Sequence, residues 1–208
     1  MALATLPQKP GLTQAEDSEL WKAFRGGDRV AFGQIYDLYI QELLSYGYRI
    51  TNDRQLIRDS IQDLFLYLWA QRENLSPTDS IKFYLYRSLR NRILRNTEKS
   101  SRLATDVHLI PEHISGDLPF ESAWMAEEKQ AEQADKLRAA IARLPKRQQE
   151  VIQLRYYHDF NAEEIAKLLE INNQSVRNLL HQAIGRLRDF FGEGFFLFAL
   201  LAGFFQKL

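Results

Sequence analysis

Five side chains near the C-terminal end have the types and spacing needed to read the edges of base pairs. Gln174, Arg177, Asn178 and His181 recur on one face of a helical wheel, with Ser175 beside them. Amide, hydroxyl and guanidinium groups match the donors and acceptors of the major groove, where Arg pairs with guanine and Asn or Gln with adenine. Val176, Leu179, Leu180 and Ala183 supply the opposite, apolar face. A shorter helix must precede this one. Asn161 is placed as its N-cap, Glu164 completes a capping box, and Phe160 with Ile165 can form a hydrophobic staple. Ile165, Ala166 and Leu169 give it a buried stripe, and Ala166 is small enough for a second helix to cross closely. Glu170-Ile171-Asn172 makes the turn, with Ile171 inward and Asn172 capping the reading helix. The pattern predicts a helix-turn-helix. Glu170 occupies a turn position that favours Gly or Asn, at a cost of about 1 kcal/mol.

A second constellation interleaves aromatics with cations: Phe83, Tyr84, Tyr86, Arg87, Arg90, Asn91, Arg92 and Arg95. Arginines that neutralise phosphates beside π faces that stack bases are the combination that holds single-stranded nucleic acid. Phe83, Tyr86, Leu89 and Ile93 also fit a buried stripe, so the residues alone leave open a solvated basic face over ordinary core aromatics. A third set, Asp59, Gln62, Asp63, Leu66 and Trp69, lines the side of a helix away from its expected core. That ridge suits a protein partner, because Trp is enriched at interface hot spots.

These sets need helices to carry them. Strand signals are scarce, and helical periodicity runs through most of the chain. Ser18 to Gly26 is expected as a short helix, and Asp28 to cap a longer one through Tyr48, with Phe32, Ile35, Tyr36, Tyr39, Leu43 and Leu44 on its apolar side. Asp53 caps a third, to about Gln71, with Leu56, Ile57, Ile61, Leu64, Phe65 and Leu68 inward. Asn74 to Asp79 is a loop containing Pro77, and Ser80 opens a fourth helix to about Glu98. Ser100 to Ser122, with Pro111, Gly116 and Pro119, is expected as a linker, and helices resume near Ala123. Pro145 is expected to be the first residue of a helix ending near His158-Asp159. The fold class is therefore all-α, two helical domains joined by a flexible acidic linker.

Composition narrows the function classes. The 208 residues fit one large domain or two small ones, and 45% hydrophobic content supports real cores. Cysteine is absent, which removes disulfides, thiolate catalysis and thiolate metal sites, and suits a reducing cytoplasm. The first 17 residues resemble a loose polar leader rather than a secretion signal. The formal net charge of +0 conceals two blocks. Lys82 to Arg102 carries seven basic residues against Glu98, and Leu103 to Lys136 carries eight acids against Lys129 and Lys136. Polyanion binding follows the local field, not the sum. His108, His113, His158 and His181 show no metal-ligand spacing, and neither a phosphate-binding Gly loop nor a nucleophile motif is present, so an enzyme, a cofactor and a small-molecule substrate are not expected.

The order Asp59-Ser-Ile-Gln-Asp-Leu-Phe-Leu-Tyr-Leu-Trp69, Phe83-Tyr-Leu-Tyr-Arg-Ser-Leu-Arg-Asn91, Leu144-Pro-Lys-Arg-Gln-Gln-Glu-Val151 and Glu164-Ile-Ala with Ser175-Val-Arg resembles the extracytoplasmic-function sigma factors of bacterial RNA polymerase. The resemblance covers roughly residues 18 to 190. It implies a leader over 1–17, sigma region 2 over 18–100, a linker over 101–128, region 4 over 129–190 and an apolar tail over 191–208. It implies that Asp59, Gln62, Asp63, Phe65 and Trp69 lie in or beside the helix that docks on core polymerase. It implies that the Asn74–Ser80 loop, including Asn74 and Ser76, captures and melts the −10 element together with Tyr84, Tyr86, Arg87, Arg90, Asn91, Arg92 and Arg95. Gln174, Ser175, Arg177, Asn178 and His181 would read the −35 element, and the acidic linker would mimic RNA in the polymerase channel. The implied partners are core RNA polymerase, promoter DNA and an anti-sigma factor.

Two positions depart from the pattern: Arg58 stands where an acid is usual, and Glu170 replaces a turn glycine. The tail, with Phe195-Phe-Leu-Phe-Ala-Leu-Leu-Ala-Gly-Phe-Phe205, falls short of the about 20 residues a bilayer span needs. Packing on its own domain or on a second copy is the first expectation for it, an anti-sigma site the second and membrane attachment the last. The competing reading is a helix-turn-helix repressor or activator with a helical sensor domain, which gives the Asp59–Trp69 ridge no role.

Overall fold

The computed structural model describes residues 13–103 and 136–191, with side chains as far as Thr97 in the first stretch. Expectations for the leader before Thr13, the linker beyond Leu103, His108, His113 and the tail beyond Phe191 lie outside the described residues. The chain forms two compact units, and all regular structure among the described residues is helical.

The first unit contains α1 (Gln14–Arg25), α2 (Arg29–Ile50), α3 (Arg54–Gln71), a 3-10 turn (Arg72–Asn74) and α4 (Ile81–Leu103). The starts of α1, α2 and α3 each have a side-chain cause. Asp28 accepts from the Val30 and Ala31 amides at 2.7 and 3.2 Å, and Asp53 from the Leu56 amide at 3.0 Å. Helix α1 begins four residues before the expected Ser18, because Thr13 and Glu16 form a capping box. The expected 1–17 leader therefore ends inside a helix whose Asp17 is buried. Helix α2 runs two residues past Tyr48, and α4 passes both Glu98 and the expected boundary at residue 100.

Helices α2, α3 and α4 pack on one another around Leu43, Ile57, Leu64, Leu68, Leu85 and Leu89, all essentially inaccessible. Gly47 lets α3 approach, since a Cβ there would stand 2.6 Å from Ile57 Cγ2. On α2, Ile35, Tyr39 and Leu43 are buried as expected, whereas Phe32 and Leu44 are half-buried and Tyr36 is exposed. Leu56 at the start of α3 is also half-buried. The apolar residues left part-open on α2 form the wall of a groove described below.

The second unit contains helical residues 136–142 (α5), α6 (Lys146–Tyr156), α7 (Ala162–Leu169) and α8 (Asn173–Phe191). Pro145 is the N-cap of α6 rather than its first residue. That helix stops at Tyr156, short of the expected His158-Asp159, and Asp159 turns the chain with a left-handed φ of 55°. The Phe160 amide then donates to the Leu154 carbonyl at 2.9 Å, which seats Phe160 in the core.

Candidate nucleic-acid interface and docking groove

The helix-turn-helix is built as its residues require. Asn161 Oδ1 accepts from the Glu163 and Glu164 amides at 3.0 and 2.9 Å, and Glu164 Oε2 accepts from the Asn161 amide at 2.8 Å. Phe160, Ile165, Ala166 and Leu169 are buried, and so is Leu168, which the sequence reading did not include. Glu170 takes the left-handed conformation, φ 56° and ψ 42°, and is exposed. Ile171 is half-buried rather than fully inward. Asn172 Oδ1 accepts from the Ser175 amide at 2.6 Å and starts α8.

On α8, Val176, Leu180 and Ala183 are buried and Leu179 is half-buried. Gln174, Arg177, Asn178 and His181 are exposed together, with Ser175 half-buried beside them. Gln174 Nε2 donates to Asn178 Oδ1 at 3.0 Å, so two amides one turn apart are already aligned. Buried Gln148 of α6 anchors this helix from behind. It donates to Gln182 Oε1 at 3.1 Å and accepts from Arg186 Nη1 at 3.3 Å.

In the first unit, α3 and α4 enclose a polar groove of about 490 Å3 lined by Asp63, Tyr67, Tyr84, Ser88, Asn91, Arg92, Arg95 and Asn96. Four of the expected single-strand residues meet there: Tyr84, Asn91, Arg92 and Arg95. Arg92 lies over the Tyr67 ring at 4.9 Å, and Arg95 Nε donates to the Asn91 carbonyl at 3.0 Å. Burial holds the Tyr84 phenol above its usual pKa, so it stays a neutral donor.

Two expected members of this surface are placed elsewhere. Tyr86 is fully buried, with its ring 4.8 Å from that of Tyr46 and its hydroxyl donating to Glu42 Oε2 at 3.1 Å. It belongs to the core stripe of Leu85, Leu89 and Ile93 and offers no open π face. Arg90, four residues on and so on the same side of α4, is also buried at 6% exposure. Arg87 is exposed but does not line the groove. Tyr67, Ser88 and Asn96 are the groove residues that the sequence reading missed. Helical spacing from Asp63 to Tyr67 and from Asn91 and Arg92 to Ser88 was the signal for two of them.

The Asn74–Ser80 loop adjoins the start of α4. Asn74 and Ser76 are exposed, while Leu75 is buried and anchors the segment. Asn74 Nδ2 donates to Gln71 Oε1 at 3.2 Å.

On its other flank α3 meets α2 in an apolar groove of about 810 Å3. Phe32, Tyr36, Ile40 and Leu44 form one wall, Ile61, Gln62, Phe65, Leu66 and Trp69 the other, and Arg58 also lines it. Leu66 is 60% and Tyr36 42% exposed, a large apolar opening for so small a unit. Asp59, Gln62 and Asp63 are exposed mid-helix. Phe65 is buried against Tyr36 with ring centroids 4.9 Å apart. Trp69 is half-buried rather than turned outward. It packs 5.1 Å from Phe32 and carries the Arg72 guanidinium over its ring at 4.8 Å. The expected ridge is thus divided. Gln62, Leu66 and Trp69 face the apolar groove, Asp63 faces the polar one, and Asp59 lines neither.

Among the described residues no group of His, Cys, Asp or Glu is placed to hold a metal ion, and no helix is long and apolar enough to cross a membrane.

Known proteins share this arrangement. Residues 35–103 match the family sigma-70 region 2, and residues 134–187 match sigma-70, region 4. The ECF RNA polymerase sigma factor SigM of Bacillus subtilis is 22% identical over 161 residues, covering 77% of this chain and 95% of the relative. RNA polymerase sigma factor SigZ of the same organism is 24% identical over 74% of this chain and 84% of its own length. ECF RNA polymerase sigma factor SigL of Mycobacterium tuberculosis is 28% identical over 74% and 85%. In fold, the chain is similar to the sigma factor RpoE of Bartonella quintana, solved with the anti-sigma factor NepR. The TM-score is 0.58 at 19% identity, over 77% of this chain and 96% of that one. CnrH, solved with the cytosolic domain of CnrY, gives 0.53 at 19% identity over 83% and 95%. The helix-turn-helix unit follows the grooved unit in the same order as region 4 follows region 2, and the relatives run through both. The chain therefore belongs to the sigma-70 family, among the extracytoplasmic-function sigma factors that recognise promoters and start transcription.

Proposed function

We infer that this sigma factor divides its work among three surfaces. Gln174, Ser175, Arg177, Asn178 and His181 read the −35 element as duplex. The polar groove of Tyr67, Tyr84, Asn91, Arg92 and Arg95, with the Asn74–Ser80 loop, holds the −10 strand once it is melted. The apolar groove of Gln62, Phe65, Leu66 and Trp69, with Asp59 and Arg58 nearby, docks on core polymerase. Arg58 sets a positive charge at the rim of that groove.

The observation that carries this reading is the position of α3 between two grooves of opposite chemistry. An apolar opening with aromatic walls suits a protein helix. A polar slot with a guanidinium over a tyrosine suits an unstacked base and its phosphate. A repressor reading gives neither groove work.

The protein is a non-catalytic subunit of a cytoplasmic enzyme, works without a cofactor or small-molecule substrate, and pairs with an anti-sigma factor, by analogy with RpoE, which is solved in complex with the anti-sigma factor NepR. Its working parts follow the division into region 2, linker and region 4, with the first part opening at Gln14.

The test is transcription in vitro. The full chain, mixed with core RNA polymerase, is given a pool of duplex templates randomised at the two promoter elements. Transcripts starting at a fixed distance from a recovered pair of motifs are the expected result. Absence of any chain-dependent transcript, with DNA binding retained, would return the repressor reading.

A further inference from the structure

Helix α1 carries two polar groups that hold the loop assigned to the −10 base, one within it at Ser76 and one just past its end at Ile81. Trp21 Nε1 donates to the Ser76 carbonyl at 2.9 Å. Asp17 Oδ2 accepts from the Ile81 amide, the first amide of α4, at 3.1 Å. Asp17 and Trp21 are four residues apart and so share one face of α1. Both are buried, Trp21 at 1% and Asp17 at 6% exposure. Between the two contacts lie Pro77, Thr78, Asp79 and Ser80.

The segment is tightened from inside as well. Thr78 Oγ1 accepts from the Ser80 amide at 3.2 Å, and Ser80 Oγ accepts from the Phe83 amide at 3.1 Å. Tyr39 of α2 fixes the Asp17 carboxylate by donating to Oδ1 at 3.4 Å. The Trp21 ring also stands 5.1 Å from that of Tyr84, a wall of the polar groove. One indole therefore touches the loop backbone and the aromatic wall across which the strand would lie.

We propose that Trp21 and Asp17 are positioning residues for −10 recognition: α1 clips the loop at Ser76 and at the Ile81 amide that follows it, and sets its shape before DNA arrives. The proposal rests on the assignment of that loop and groove to the −10 strand. A base taken out of the stack needs a pocket already formed, because ordering a loose loop at that moment weakens discrimination among bases. Neither residue touches DNA. Each acts through backbone groups, the Ser76 carbonyl and the Ile81 amide.

The test uses holoenzyme assembled from the full chain and core polymerase. The probe is forked DNA carrying the selected −35 motif as duplex and, in turn, each of the four bases at the most selective −10 position. Trp21→Phe keeps a ring and removes the N–H donor. It should reduce discrimination between the best and the other bases by about three- to tenfold, the worth of one hydrogen bond. Duplex −35 binding and core affinity should stay near wild type, while the urea midpoint falls because the smaller ring leaves a void in the core. Asp17→Ala should broaden the same −10 position by removing a different contact.

Unchanged base discrimination in Trp21→Phe would overturn the proposal and leave the sigma reading standing. So would equal losses in −35 binding, core affinity and −10 discrimination, which would make the clip ordinary core packing. If wild-type holoenzyme selects no −10 motif, the reading of the loop falls and the clip falls with it.

Discussion

At the scale of single residues, the exposed polar face of α8, proposed to read the −35 element, makes the sharpest demand. Arg177 is exposed, and the Gln174–Asn178 amide pair flanks it. A bidentate contact from its guanidinium to a guanine edge is worth about 1–3 kcal/mol of discrimination. Arg177→Ala should weaken −35 duplex binding by that amount, measured by fluorescence anisotropy on the selected motif, and relax preference at one base pair. Uniform weakening on every sequence would mark a phosphate contact instead. Asp17 makes a different prediction. Burial raises its pKa above the usual 3.8, outweighing the Ile81 and Tyr39 hydrogen bonds and the Lys82 charge that lower it. The folded state then binds its proton more tightly than the unfolded chain does. Its contribution to stability is fully present below the unfolded pKa and is lost as pH rises through the folded value. Asp17→Asn, which cannot ionise, should gain on wild type as pH climbs from about 3 to 6, read from urea midpoints. An opposite trend would show that the hydrogen bonds dominate. Much at this scale was legible in sequence, because exposed polar residues at helical spacing announce themselves. Tyr86 and Arg90 were misread because core stripe and cationic face interleave along α4, and residue type alone does not say which face a given ring takes.

At the scale of elements, the helix starts were legible where Asp28, Asp53 and Asn161 cap them, since one short acceptor side chain decides the matter locally. The start of α1 was not, because Thr13 and Glu16 sit in a polar stretch that reads as leader until a capping box is recognised. Grooves are harder still. Each is made by two helices, and nothing in α3 alone reveals that Gln62 and Asp63, adjacent in sequence, line different grooves. That division can be tested. Leu66 is exposed on the apolar side, so Leu66→Glu should leave the fold intact and weaken core-polymerase binding by about 1–2 kcal/mol or more, as an interface anchor does. Asp63→Lys adds a cation to the polar groove. It should tighten binding of the −10 single strand and affect core affinity less than Leu66→Glu does. Competition binding against a labelled wild-type chain measures the first effect, and anisotropy on the forked probe the second. A larger core defect from Asp63→Lys would return Asp63 to the docking surface.

For the whole molecule, a net charge of +0 coexists with a function that requires a polyanion. The reconciliation lies in the order of charges along the chain. Lys82 to Arg102 carries a formal charge of about +6, and Leu103 to Lys136, which follows directly, about −6. Opposite charges so close in sequence can attract, and the acidic stretch is expected to compete with promoter DNA for the basic one in the free subunit. If core polymerase draws the acidic stretch away, holoenzyme should escape the competition. Exposed charges are screened over about 10 Å at 0.1 M salt, so the effect belongs to low ionic strength. Replacing Asp106, Glu112, Asp117 and Glu121 by Asn or Gln should therefore raise the free protein's affinity for forked promoter DNA severalfold at low salt. The gain should shrink as salt rises, and it should be smaller in holoenzyme than in the free chain. Counterion release by the arginines that remain should keep a steep salt dependence in both proteins. Equal affinities of variant and wild type at low salt would show that the acidic stretch does not compete with DNA and is a solvated spacer.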